Sequence, residues 1–432
     1  MFRMPHTARS GLVSPERRST YWVPTLRGVA LRPASVVCTL AIALGPGRTS
    51  ASRAAAISLE IDPSVRSAGM GGATSSVFWG DDPNYWANPA LLGYHHGIRY
   101  EWSKTQLVPD LASDVFFKSN RMTMGAWGLG FGFNLHPYEL DYGESVGTGG
   151  AHSFEDIDSW GIGLSLVEAG ESLLELFGGE RWLRRYVDIS LGYFQKKVFV
   201  DLAPQSIIAD TLSGHAAAQT RDFGFLVRAT PWNSIDRPVP GSPLRYFGGL
   251  RADLSFAGSW LNADDEVLAL GPQRVPIPRD ARWGVGVRLA SGFPAPWRAS
   301  LDSRGAGWLA QVFAPLVSVG TSWENSTITV PSSGADDRVE YAKINSWGLE
   351  ASFANVLTFR TGSIDDPTGQ IVGSTSGWSL GLRLGDAVGF RYDWATVPQT
   401  AGLRDVERDG FMIFVDMFGL ERLLKPPEST SP

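Results

Sequence analysis

Few residue groupings in this chain could do chemistry, and each one weakens on inspection. Gly143 to Gly147 spells Gly-Glu-Ser-Val-Gly, the G-x-S-x-G pattern in which an esterase serine acts as nucleophile. That chemistry needs the serine on a sharp turn between a strand and a helix. Here the pentapeptide sits in a glycine-rich acidic stretch, so it reads as a loop. His95 and His96 are metal-ligand types, but adjacent side chains on an extended chain point to opposite faces and cannot close on one ion. The pairs Asp81-Asp82, Asp264-Asp265, Asp336-Asp337 and Asp365-Asp366 offer oxygens of the kind calcium takes, yet in polar loops they read as solvated charge. One cysteine and 6 scattered histidines do not make a transition-metal site. No glycine-rich loop follows a strand and opens a helix to cradle a phosphate. The chain is therefore expected to be a non-enzyme, with no catalytic residue, no metal and no cofactor.

The elements that would position any function are written in period two. Trp160, Ile162, Leu164 and Leu166 alternate with Gly161, Gly163 and Ser165. Val187, Ile189, Leu191 and Tyr193 alternate with Asp188, Ser190, Gly192 and Lys196, and Leu250, Leu254, Phe256 and Trp260 with Arg251, Asp253 and Ser255. Trp283, Val285, Val287 and Leu289 face away from Gly284, Gly286 and Arg288, and Trp378, Leu380, Leu382 and Leu384 from Ser379, Gly381 and Arg383. Such alternation, repeated along 432 residues with 49 glycines and 16 tryptophans, predicts an all-β, transmembrane antiparallel β-barrel. One face of each strand would meet lipid. The other would meet a wet lumen carrying Asp188, Arg228, Arg251, Asp253, Arg288 and Arg383. On this basis Leu164→Arg should harm folding while Ser165→Arg is tolerated. Tryptophans 160, 260, 283, 347, 378 and 394 end the apolar faces, where an interfacial girdle belongs. Long polar segments over 136–157, 201–219, 261–279, 325–340 and 396–408, with tight joints near Ala354 and Asp386, suggest long loops at one end and short turns at the other. Glu171 to Tyr186 departs from strand patterning and reads as a short interfacial helix. The stretch 295–324 is ambiguous, which leaves 14 to 16 strands.

The N-terminus reads as an export signal. Six arginines from Arg3 to Arg32 precede the apolar run Ala34 to Leu44, too short to span a bilayer, and small residues follow, with cleavage between Ala51 and Ala56. Residues 1–56 hold eight arginines and one acid, a net +7, so the whole chain's −6 leaves −13 on the remainder. A mature chain that is acidic and free of cysteine needs no disulfides and offers no footprint for nucleic acid.

Between this leader and the first strand, at Gly97, lies Arg66 to Leu92, which is neither helix nor strand in pattern. Gly69, Gly71 and Gly72 surround Met70; Asp81 and Asp82 follow; Asn88 would cap a short turn begun by Pro89 and Ala90. A structured segment ahead of strand one reads as a plug, with Arg66, Asp81 and Asp82 meeting lumen charges such as Arg251, Asp253, Arg288 and Arg383.

This same stretch, R-S-A-G-M-G-G-A followed by D-D-P and N-P-A-L-L, resembles the N-terminal signature of the PorV/PorQ family of outer-membrane barrels. More distantly it is similar to the Asn-Pro-Ala segment of FadL-type transporters. The resemblance covers about 27 residues and implies about 14 strands with an N-terminal plug. The chain is thus read as a signal peptide over 1–56, a plug over 57–96, a barrel over 97–418 and a polar tail over 419–432. PorV/PorQ kinship implies a scaffold or shuttle for exported proteins, with secretion components as partners; FadL kinship implies passage of hydrophobic small molecules. Either places the chain in the outer membrane, among lipid and lipopolysaccharide, inserted by the barrel assembly machinery. Barrels of this kind end on an aromatic residue, and here Phe414 or Phe418 would serve internally.

Overall fold

The computed structural model describes residues 56–416, apart from 109–113, 145–151, 180–181, 202–214, 236–248, 265, 271–272, 305–312, 314, 332–338, 368–370, 385–386 and 400–402. The leader, the polar tail, Phe418 and the serine of the Gly143–Gly147 pentapeptide lie outside these residues.

The strands run in chain order: β1 Gly97–Gln106, β2 Val115–Ala126, β3 Leu129–Asn134, β4 Tyr138–Glu144, β5 His152–Ser165, β6 Val187–Asp201, β7 His215–Asn233 and β8 Leu250–Leu261. A small hairpin, β9 Val267–Leu270 and β10 Gln273–Pro276, precedes β11 Arg279–Ser291. The rest are β12 Val317–Pro331, β13 Val339–Phe353, β14 Leu357–Asp366, β15 Ile371–Leu384, β16 Val388–Val397 and β17 Val406–Val415. Apart from the hairpin, every strand pairs antiparallel with its neighbour in sequence, except that β3 and β4 share one position between β2 and β5. The sheet closes where β1 meets β17, with Trp102 opposite Phe411, giving a barrel of 14 strand positions. Among the described residues, closure leaves this sheet without an open edge, which is what a spanning sheet needs in hydrocarbon.

The alternation sorts the faces as expected. Trp160, Ile162, Leu164, Ile189, Leu191, Leu254, Phe256, Val285, Leu289, Leu380 and Leu382 point outward, and their neighbours Gly161, Ser190, Asp253, Ser255, Gly286 and Ser379 are buried inward. Outside, rings touch from strand to strand: Trp160 to Tyr193 at 5.8 Å, Tyr193 to Phe223 at 5.5 Å and Trp260 to Trp283 at 5.6 Å between centroids. Trp323 and Trp347 lie opposite one another in the β12–β13 pair, as do Trp378 and Trp394 in β15–β16. An apolar outer band closed by an aromatic girdle makes this a transmembrane barrel.

Connection length separates the two ends only in part. At the terminal end, where β1 begins and β17 finishes, the β13–β14 joint is tight, with Ala354 and Asn355 both left-handed at φ 55° and 54°. Residues 166–186, 234–249 and 292–316 make long connections at this same end. Much of what reads as loop at the far end is strand: β5 carries Asp156 and Asp158 outward, and β6 carries Gln195 and Lys197, beyond the girdle. Polarity there marks the height above the membrane, not the end of the strand. The 295–324 stretch resolves into a helix, α3 Ala295–Ser303, and the start of β12. The helix expected over Glu171 to Tyr186 lies earlier, as α2 Leu166–Leu176, because Ser165 Oγ caps it and ends the strand before Leu166. A 3-10 turn follows at Leu183–Arg185, and Leu176 and Phe177 are 81% and 82% exposed. Phe414 does not face lipid. It is buried in the lumen with the Arg383 guanidinium 4.9 Å from its ring centre, so it offers nothing outside the barrel.

Candidate functional site

Residues 56–96 run inside the barrel. The segment holds a 3-10 turn at Ile57–Glu60, the short helix α1 Val65–Gly69 and a 3-10 turn at Pro89–Tyr94, with irregular backbone between. Irregular backbone away from water must find partners for its polar groups. The wall supplies them. Six hydroxyls from five strands donate to plug carbonyls: Ser103 to Pro63 at 3.0 Å, Thr375 to Gly69 at 3.1 Å, Ser322 to Ala73, Ser255 to Ser76 at 2.7 Å, Ser259 to Ala87 at 2.8 Å and Ser190 to Ala90 at 2.7 Å. Wall carboxylates take plug N–H groups, Glu155 from Ser58 at 2.9 Å and Glu324 from Ser75 at 2.8 Å.

Missing side chains make the room. Gly125, Gly130, Gly163, Gly192 and Gly224 stand in one paired row across β2, β3, β5, β6 and β7. A Cβ at Gly192 would strike the Pro89–Ala90 peptide, one at Gly163 would reach Leu92 Cβ at 2.6 Å, and one at Gly224 would strike Asn88 Oδ1. On the opposite wall Gly348 and Gly362 admit Met70 and Gly71. Gly71 itself has φ +65°, and a Cβ there would lie 2.6 Å from the Ser363 carbonyl, so both conformation and space demand glycine.

Charges pin the plug at three points. Arg66 makes a bidentate pair with Glu350 on β13, Nε at 2.8 Å and Nη2 at 2.7 Å, and its Nη1 holds the Asp82 carbonyl at 3.0 Å. Asp82 pairs with Arg121 of β2 at 2.9 Å, and Arg121 also holds Glu101. Burial would raise the Asp82 carboxyl, but Arg121 and Arg391 outweigh it and keep it below the usual range. Asp81 meets Arg383 at 3.1 Å, as expected. Asn88 caps its turn through Oδ1, which accepts from Ala90 N at 3.0 Å, while its Nδ2 donates to Ser75 O and Phe225 O, each at 3.0 Å. Burial, reinforced by Arg99, keeps His95 neutral, its pKa pushed down to about 3; its Nε2 meets the Pro83 carbonyl at 2.9 Å and its Nδ1 the Thr123 hydroxyl at 3.0 Å.

Several inward charges have other work. Asp253 pairs with Arg251 at 2.9 Å and accepts from Thr230 at 2.7 Å, so neither meets the plug's charges. Asp188 accepts from Ser165 Oγ at 2.7 Å and thereby holds the start of α2. Arg228 lies over the Phe78 and Tyr94 rings at 5.3 and 5.6 Å. Ser165, expected to border water, is fully buried in this arrangement. The plug's ionic partners Glu350 and Arg121 were missed, as were Glu101, Arg360, Arg391 and Asp393 around them. Alternation could have found them, since Arg391 and Asp393 interleave with Phe390, Tyr392 and Trp394, and Glu350 follows Trp347 and Leu349 at lumen spacing.

The two halves of the lumen differ in chemistry. Toward the far end, Phe117, Leu140, Ile157, Phe194, Val198 and Val200 project inward and form one apolar cluster with Leu59, Tyr85 and Trp86 of the plug. Leu268 on the β9–β10 hairpin and Ile277 close it from above. Tyr85 lies 5.3 Å from Phe194 and Trp86 5.2 Å from Tyr138, centre to centre. Beneath Trp86, the Lys196 ammonium sits 3.9 Å from its ring centre and pairs with Asp222 at 2.7 Å, both fully buried. Toward the terminal end lies a polar cavity of about 240 Å³ lined by arginines.

No family model and no curated protein matches the chain. Among solved structures it is similar to a FadL homologue from Pseudomonas aeruginosa, with 10% identity over 82% of this chain and 98% of that one and a TM-score of 0.39. It is likewise similar to the Ralstonia pickettii toluene transporter TbuX, with 11% identity over 83% and 98% and a TM-score of 0.36. A third is the Pseudomonas putida toluene transporter TodX, with 11% identity over 81% and 96% and a TM-score of 0.35.

Proposed function

We propose that the chain is a non-enzymatic outer-membrane barrel that lets hydrophobic small molecules pass through a plugged lumen. Its apolar band would lie among lipid and lipopolysaccharide, with the terminal end facing the periplasm. One observation carries this reading. The lumen wall is apolar at the far end, where Phe117, Leu140, Ile157, Phe194, Val198 and Val200 are buried against the plug. A water-filled pore gains nothing from inward aliphatic and aromatic side chains, which water would leave exposed at a cost of about 25 cal/mol per Å². A route for apolar molecules needs such a lining, with the plug's Leu59, Tyr85 and Trp86 occupying it at rest. The secretion scaffold implied by the PorV/PorQ resemblance draws on no feature of this interior.

The test is entry of an apolar fluorescent probe into cells producing the wild type, the Phe194→Asp variant, or no barrel. Faster entry with wild type and basal entry with Phe194→Asp support the reading, given equal amounts of folded protein by heat-modifiable gel mobility. Equal entry in all three removes the transport reading and returns the chain to a scaffold role.

A further inference from the structure

The arginine-lined cavity at the terminal end is not needed by an apolar cargo. Arg66, Arg99, Arg288, Arg360, Arg383 and Arg391 line it, against two lining carboxylates, Asp81 and Glu350. Those carboxylates are already engaged. Glu350 takes both Arg66 and Arg360, the latter at 2.8 Å, and Asp81 takes Arg383 at 3.1 Å. A third acid, Asp393, binds Arg360 at 2.8 Å and Arg391 at 2.6 Å. Arg288 has no ion-pair partner among the described residues. The buried Nε atoms of Arg99, Arg288 and Arg383 have no hydrogen-bond partner among the described residues. These three donors line this one cavity, while the orphaned Nε atoms of Arg121, Arg228 and Arg408 lie elsewhere.

Excess like charge in a partly dehydrated space is unfavourable unless a counter-charge enters it. The orphaned groups also say what kind. Guanidinium forks present directional, planar N–H pairs that match tetrahedral or planar oxyanions and suit a spherical halide less well. A cavity of about 240 Å³ holds such an ion together with water.

We propose that this cavity is a binding site for a phosphate- or sulfate-type oxyanion, held by Arg288 together with Arg99 and Arg383. Because Arg383 also holds Asp81 of the plug, the bound anion competes with the plug for the same guanidinium and loosens its attachment at this end. The site does not depend on the route proposed for apolar molecules, and its test uses no transport assay.

The experiment is calorimetric titration of the full-length barrel, in a non-ionic detergent, with inorganic phosphate. Wild type should bind saturably, and Arg288→Gln at least tenfold more weakly. Arg288 breaks no ion pair when replaced, so the variant should keep its gel mobility and melting temperature; should it not fold, Arg288→Lys keeps the charge, loses the fork and should bind severalfold more weakly. No saturable binding in wild type, equal binding in the folded variants, or displacement by equimolar chloride overturns the proposal. A parallel titration with n-butyl phosphate separates the two sources. Equal affinity identifies a free oxyanion, and tenfold tighter binding identifies the head group of an amphiphile.

Discussion

Asn88 offers the sharpest test of how the plug is held. As a helix cap alone, its loss would cost about 1 kcal/mol, and Asp would replace it without penalty because both are good caps. The structure asks more of it. Oδ1 accepts from Ala90 N, and Nδ2 donates to Ser75 O within the plug and Phe225 O on β7. Asn88→Ala therefore removes the cap, orphans the buried Ser75 carbonyl and breaks the plug's bond to the Phe225 carbonyl of the sheet, each worth about 1 kcal/mol. The total is about 3 kcal/mol, roughly a hundredfold rise in the open population of the plug. Asn88→Asp keeps the accepting oxygen but turns a carboxylate oxygen toward those same two carbonyls, so it should be at least as damaging as Ala. The assay is hydrogen exchange over residues 84–94 in the purified barrel, with gel mobility showing that the strands remain closed. Near-wild-type protection in Asn88→Asp would show that the cap is all that matters and refute the three-way anchoring.

Three further outcomes follow from the fold. Phe256→Arg, on the lipid face between Val227 and Val285, should destabilise the barrel by about 2–4 kcal/mol; Ser165→Arg should do no less, since it overfills a closed site and removes a hydroxyl from Asp188, and a tolerated Ser165→Arg in denaturant titration would contradict the packing described. Lowering the pH from 7 to 4.5 should open the plug, because His95 is held neutral with a pKa near 3 against an ordinary 6.5: its contribution is complete above 6.5 and is lost as pH falls, about 2–3 kcal/mol by pH 4.5. His96, pushed down to about 4 by burial and Arg184, shares that window, so the fall in protection of residues 84–94 should shrink, not vanish, in His95→Gln. N-terminal sequencing of the membrane-inserted protein should begin at Ser52, after cleavage at Ala51, because Ala56 is fully buried in the apolar cluster and cleavage behind it would remove a packed residue.

The strands were legible because each carries its own evidence: alternation within ten residues needs no knowledge of the partner strand. Asn88 as a cap and Gly71 as an obligatory glycine were legible for the same local reason. What stayed hidden spans the barrel. Arg66 and Glu350 are 284 positions apart, and Asn88 and Phe225 137, and nothing in either neighbourhood names the other. The glycine row was hidden too. Gly130, Gly163, Gly192 and Gly224 each look like an ordinary strand glycine, and only the register between strands lines them up. Ser165 misled for a related reason: its inward face was right, but inward meant Asp188 and a helix start, not water.

The wall holds the plug largely by its main chain. Six wall hydroxyls reach carbonyl oxygens at Pro63, Gly69, Ala73, Ser76, Ala87 and Ala90, groups that nearly every residue type would present unchanged. Tolerance to substitution is therefore lopsided. A plug position such as Ser76 can change its side chain and keep its grip, as far as space allows, whereas Ser255 opposite it cannot become alanine without stranding a carbonyl. Homologous barrels descended from this one should drift faster at plug positions that offer only a carbonyl, such as Ser76 and Ala87, than at the wall hydroxyls that hold them or at the plug's own anchors Arg66, Gly71, Asp82 and Asn88.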